Sequence, residues 1–372
     1  MAELDRPLSI SELSGPALLR LGRKDRAAAR QSLRAMSAEA QARACRELVP
    51  EVRSEFLLLL EHPEQVVPLL PETEVCITIR AGGMSEASWL LELATTEQLR
   101  ACFDLDCWRG DELDLKRLQE WIEALIEAGR EPLLRAVREV DLELWVLLLR
   151  ALSEVAVLGK DDIPPDGWLT LDGVVYFGAR GDAEFALVHE LAGATFAGAQ
   201  AHYWQLVYGA LFESPAECEE YALRWRSARL NDLGFPEREQ AMQVYRPLQA
   251  KEAEIWEEVD ARDAVVPASE FPERVQGSLL GETLARLAPD RAGDVLGYVL
   301  GVANAVAVAD KLPLSDAESV PKALDKAVRG VERGLRELAA VRAQPLHEVL
   351  DRTRPLDLFR IGATLDRTLR KR

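Results

Sequence analysis

The chain has 372 residues and a mass of 41.3 kDa, more than twice a typical domain of roughly 150 residues. Hydrophobic residues at 48% and charged residues at 29% fit a folded globular protein. Against 45 Lys and Arg stand 63 Asp and Glu, and the resulting charge of −18 has the wrong sign for a general binder of nucleic acid or anionic membrane.

The charge is unevenly spread, with +4 over residues 1–46, −14 over 47–165, −10 over 166–260 and +2 over 261–372. Four segments are expected: a basic helical arm (1–46), a helical-hairpin region (47–160), a middle region of hairpin plus helix (161–264) and a helical C-terminal region (265–372). The start, Met1 to Pro7, lacks the basic and apolar stretches of a signal peptide. Five scattered Cys (Cys45, Cys76, Cys102, Cys107, Cys218) fit reduced thiols of a cytoplasmic protein, not a disulfide framework.

Helical periodicity dominates from the N-terminus onward. Capping boxes are expected at Ser9 with Glu12, Thr95 with Gln98 and Ser315 with Glu318. Leu57-Leu-Leu-Leu-Glu-His-Pro-Glu-Gln65 matches Leu90-Leu-Glu-Leu-Ala-Thr-Thr-Glu-Gln98 at an offset of 33 residues. That period fits stacked helical hairpins; an ordinary bundle with a chance similarity is the alternative. Leu118, Trp121, Ile122, Leu125 and Ile126 share one helix face, closed by Gly129.

Between those helices, Asp104 to Asp114 places five carboxylates in eleven positions. A calcium loop needs Gly at the sixth position and Glu at the twelfth, where Arg109 and Leu115 stand, so calcium is not expected. A turn with acidic helix caps around a buried Trp108 is the plain reading. The functional alternative is a partner-binding turn whose charge reversal at Asp111 and Asp114 abolishes capture without unfolding.

Lys160 to Gly167 reads as a connector, and Leu169 to Phe177 as a β-hairpin around a two-residue Asp172-Gly173 turn. His189-Glu190 begins like a zinc-protease helix but lacks the second His four positions on, so no metal is expected. No nucleophile elbow and no phosphate loop is present, and no cofactor is expected. Ser214-Pro-Ala-Glu217 opens a helix expected to end near Leu233, before Gly234 and Pro236. Its apolar stripe is expected at Cys218, Tyr221, Ala222, Trp225 and Ala228, with Arg224, Arg226 and Arg229 in surface salt bridges.

Val265 to Pro272 is a second connector candidate. Beyond it, Val295 to Ala309 is the most apolar run, and a buried core helix is expected there. Gly297, Gly301, Ala305 and Ala309 recur every four residues along it, the spacing that lets another helix approach closely. Internal packing is the leading reading and a homodimer seam the alternative. Residues 327–372 carry a net +5 and end in Leu369-Arg-Lys-Arg372. This tail is expected to fold onto the chain's own acidic centre, with an acidic partner or RNA as alternatives.

Phe103-Asp-Leu-Asp-Cys-Trp108, Arg229-Leu-Asn-Asp-Leu-Gly-Phe-Pro236 with the following residues to Tyr245, Ala303 to Asp310, and Leu358-Phe-Arg-Ile-Gly362 together resemble a bacterial family known only as a domain of unknown function. That resemblance covers nearly the whole chain and implies no activity. The N-terminal region is also distantly similar to the helical-hairpin domains of magnesium transporters and flagellar motor switch proteins, which implies a surface for protein contact.

The expected fold is mainly α: stacked helical hairpins plus a helical bundle, with one small β-hairpin near 169–177. The leading function is a cytoplasmic helical adaptor or regulator that binds a protein partner. Its candidate interaction residues are Asp104, Asp106, Trp108, Asp111, Asp114, His189, Arg224 and Arg229. An enzyme using His189, Glu190, Tyr203 or Arg224, between the middle and C-terminal regions, is the second reading. RNA or ribosome association through the basic tail is the third.

Overall fold

A computed structural model describes residues 14–159, 161–256 and 273–370. The Ser9 capping box and the connector at 265–272 lie outside the described residues. The chain is mainly α-helical, with two small antiparallel sheets, and forms two compact units, residues 1–226 and 227–372.

The first unit opens with three short amphipathic helices, Gly15–Lys24, Arg26–Arg34 and Ala38–Arg46. Asp25 and Ser37 start the second and third by accepting from the backbone N–H of Ala28 and Ala40. Further along, Thr95 and Gln98 form the expected reciprocal capping box on Thr96–Asp106. The Gln98 amide also donates to the carbonyls of Val67 (2.8 Å) and Leu70 (2.7 Å), tying this helix end to the preceding turn. The next helix, Leu115–Ala128, buries Leu118, Trp121, Ile122 and Leu125 as the spacing predicts. Phe103 lies 6.0 Å from Trp121 and 5.4 Å from Trp145, centring the core on three fully buried rings.

Strand β1 (Trp108–Arg109) pairs with β2 (Glu112–Leu113). In the second sheet, β3 (Ser153–Val157) and β4 (Leu169–Thr170) flank β5 (Val175–Ala179), all antiparallel. The hairpin at 169–177 is therefore present, but its turn is wider than expected: Thr170 pairs with Tyr176 across a five-residue loop. The Asp172 carboxylate accepts from the N–H groups of Val174 (2.8 Å) and Val175 (2.7 Å), closing the loop by side chain and not by a two-residue turn. The helices Asp182–Gly198 and Gln200–Phe212 pack against this sheet, with Tyr203 and Phe177 fully buried between them.

The helix Pro215–Asp232 ends at Gly234 (φ +84°), where the N–H of Phe235 reaches back to the carbonyl of Leu230 at 2.8 Å. Its inward stripe differs from expectation. Cys218, Ala222, Arg226 and Leu230 are buried, while Tyr221 and Trp225 are each 53% exposed and Ala228 is exposed.

In the second unit, Pro289–Ala309, Ser319–Arg342 and Pro355–Arg370 are the long helices. The first is long and apolar enough, by length and composition, to cross a membrane, yet Val295, Leu296, Val299, Val302 and Val306 are buried in the core. Ser315 does not cap the next helix. Residues 314–318 form a turn, and Asp316 accepts from the N–H of Glu318 just before Ser319.

Close helix approach occurs, but not on the expected stripe. A Cβ on Gly334 would stand 1.9 Å from the carbonyl oxygen of Leu358, and one on Gly362 would stand 2.1 Å from that of Gly330. Ser319–Arg342 and Pro355–Arg370 thus touch backbone to backbone through Gly330-Val-Glu-Arg-Gly334. At Gly297 and Gly301 nothing lies within 4 Å of an added Cβ, so among the described residues no helix packs against those two glycines. The basic tail is a packed helix carrying buried Leu358, Phe359 and Ile361. Arg333 pairs with Asp366, and Arg360 and Arg367 donate to the carbonyls of Gln243 and Tyr245.

Candidate functional site

The acidic turn is met by three arginines, Arg80, Arg109 and Arg226. Asp106 ends its helix, accepts from the Trp121 indole N–H at 2.8 Å and lies 3.3 Å from the Arg80 guanidinium. Gly110 (φ +64°) turns the β1–β2 ribbon, a conformation suited to glycine. Asp114 caps the following helix through the N–H groups of Lys116 (3.2 Å) and Arg117 (3.3 Å), and pairs with Arg109 at 2.6 Å. Arg226 arrives from the Pro215–Asp232 helix. Its Nε donates to the carbonyl of Asp104 at 2.7 Å and its Nη1 to that of Gly110 at 3.2 Å. The guanidinium also lies over the buried Trp108 ring, 5.1 Å from its centre. Glu219 adds an acceptor for the Leu113 N–H at 3.3 Å.

The sequence-predicted residues therefore separate. Asp104, Asp106 and Trp108 are buried, Asp114 is a helix cap and Asp111 is exposed at the ribbon tip. Charge reversal at Asp114 removes a cap, so it cannot test partner capture without also disturbing the fold. Arg224 is exposed and Arg229 half-buried. The arginine that meets the acidic turn is Arg226, two positions beyond the predicted Arg224.

His189 is 53% exposed, with its ring stacked on Phe185 at 6.4 Å and its Nδ1 3.6 Å from Glu190, too far for a hydrogen bond. It lines a cavity of about 210 Å³ with Glu190, Arg130 and apolar Ile126 and Leu133. Tyr203 and Arg224 do not line it. Tyr203 instead donates its hydroxyl to Asp172 at 2.9 Å, and burial, reinforced by that bond, holds the phenol protonated well above its ordinary range. The four residues proposed for an enzyme site are thus not gathered in one place. Among the described residues, no group of three or more His, Cys, Asp or Glu is placed to hold a metal ion.

A further surface was not anticipated. The helix Gln200–Phe212 buries Tyr203, Leu206, Val207 and Ala210, and turns Trp204 (44% exposed), Tyr208 (61%) and Phe212 (68%) outward at four-residue spacing. Tyr208 and Phe212 lie 5.0 Å apart, ring centre to ring centre. Not one of its thirteen residues is Asp, Glu, Lys or Arg. The signal was legible: residues 191–212 form an uninterrupted run without a formal charge. Its small residues draw attention to packing instead.

These features define a mainly α-helical protein with an arginine-bound acidic turn and an uncharged aromatic helix face. Residues 30–372 match the model of a family of unknown function (DUF6178), and the chain belongs to that family. No curated protein and no solved structure matches it. The distant likeness to transporter and motor-switch domains accordingly rests on hairpin patterning alone.

Proposed function

We propose that this chain is a cytoplasmic helical adaptor or regulatory protein that binds another protein through the outward face of the Gln200–Phe212 helix. The observation that carries this reading is that helix's composition. A helix face left to water normally carries charge; here three large aromatics stand exposed with no charged residue beside them on the helix. Aromatic residues are enriched at protein interfaces and supply most of the binding energy where they seat in a partner's pocket.

The acidic turn is the weaker candidate for this surface, because Asp106 is engaged by Trp121 and Arg80, Asp114 by a helix end and Arg109, and Trp108 lies buried beneath Arg226. The test is affinity capture from the native host with identification by mass spectrometry, using wild type beside a Trp204→Glu, Tyr208→Glu double variant. A reproducible partner lost in the variant, with unchanged circular dichroism, is expected. A capture profile the same for both proteins overturns the reading.

A further inference from the structure

The second unit contains an open cavity of about 480 Å³, within the size range of small-molecule sites. Its floor is Gly301, Val302 and Ala305, and at Gly301, which belongs to the small-residue stripe, no described atom lies within 4 Å of an added Cβ. One wall is a rigid aromatic corner: Trp256 and Tyr298 meet edge to face at 5.0 Å and 85°. Trp256 is fixed from behind. Its N–H donates to the Arg352 carbonyl at 2.9 Å, and its ring carries the Arg291 guanidinium at 4.5 Å, itself paired with Asp351 at 2.9 Å. Such support holds a wall in place before any ligand arrives.

Besides the Trp256 and Tyr298 rings with their own polar ends, the polar side chains on the lining are those of Gln240, Gln243 and Arg354. No Asp or Glu lines the cavity, in a chain whose net charge is −18. Arg354 is exposed, and makes no ion pair among the described residues. An apolar floor left open at Gly301, an aromatic wall and a guanidinium fork with no ion-pair partner among the described residues complement a planar apolar body bearing one carboxylate.

We propose that this cavity binds an aromatic carboxylate, its ring lying over Gly301 against Trp256 and Tyr298 and its carboxylate on Arg354. The proposal rests on residues of the second unit alone and does not depend on the aromatic helix face.

The test is calorimetric titration of the full chain with 2-naphthoate and with its neutral amide. One 2-naphthoate per chain is expected. Gly301→Leu, which fills the floor at an unobstructed helical position, should abolish binding while leaving circular dichroism unchanged. Arg354→Gln should weaken binding about tenfold, to the level of the amide on wild type. The proposal is overturned by no saturable binding of 2-naphthoate at millimolar concentration, or by undiminished binding in either variant. It is equally overturned if wild type is a dimer and Gly301→Leu a monomer by size exclusion, because the face is then a seam between copies.

Discussion

Replacing Gly334 by alanine should lower stability, whereas the same replacement at Gly301 should raise it. Both glycines lie inside long helices, where alanine is favoured by about 0.8–1.0 kcal/mol. At Gly301 nothing lies within 4 Å of the new Cβ, so that gain is retained. At Gly334 the Cβ would stand 1.9 Å from the Leu358 oxygen and 2.7 Å from its carbonyl carbon. Ordinary contact begins near 3.4 Å, so the Pro355–Arg370 backbone has to retreat by about 1.5 Å. A backbone carbonyl cannot swing aside as the end of a side chain can. Leu335, Leu338, Leu358 and Phe359, all fully buried, would then face unfilled space. Overpacking of this kind costs about 1–3 kcal/mol, and the rigid obstacle puts Gly334 at the upper end. After the helical gain is subtracted, a net loss of about 2 kcal/mol remains. For a unit of this size that is a fall in Tm of about 4–8 °C. Thermal and urea unfolding followed by circular dichroism measure it. A Gly334→Ala protein as stable as wild type, or a Gly301→Ala protein less stable, refutes the reasoning.

Arg226→Met should cost about 2–4 kcal/mol in urea unfolding, because the buried carbonyl of Asp104 and the part-buried carbonyl of Gly110 each lose a donor; Arg224→Ala, at an exposed position, should stay within about 0.5 kcal/mol of wild type. Asp114→Ala should cost about 1 kcal/mol in the same assay through loss of the helix cap, and an unchanged midpoint would remove the cap from the account. Burial raises the thiols of Cys45 and Cys218 to about 12, Cys218 also through its bond to Glu213, while unfolded thiols ionise near 8.5. The stability they contribute is whole below that lower pH and is lost as pH rises toward the folded values. The urea midpoint should therefore fall between about pH 8 and about pH 10, and a flat or rising midpoint contradicts this.

What was legible in the sequence is what neighbouring residues decide among themselves. The Thr95–Gln98 box, the buried face of Leu115–Ala128 and the Ser214-to-Gly234 helix each depend on contacts within a few positions. Strand β3 was not legible. It follows directly on a Leu-rich helix, and Ser153–Val157 becomes a strand only because Val175–Ala179 returns to pair with it. The close helix crossing shows the same division. Glycines with four-residue spacing recur, among them 297–301 and 330–334. Of these two, only 330–334 has a partner among the described residues, because Gly362 and the Leu358 carbonyl stand opposite it. Composition cannot say which stripe will be met.

The helix Pro215–Asp232 carries this argument furthest toward function. By hydrophobicity alone Tyr221 and Trp225 belong inside and Arg226 outside, yet the helix is turned so that Arg226 is buried. One residue along a helix is about 100° of rotation, so the difference is a single step in phase. What decides the step lies across the contact, where two peptide carbonyls and the face of Trp108 suit a guanidinium, whereas an indole, with its single N–H, could serve only one of the two acceptors. Burying the cation leaves Tyr221 and Trp225 in water, adding to the exposed aromatics Trp204, Tyr208 and Phe212 of the preceding helix. The same packing choice that buries Arg226 against the acidic turn therefore leaves two further aromatic side chains exposed on the Pro215–Asp232 helix.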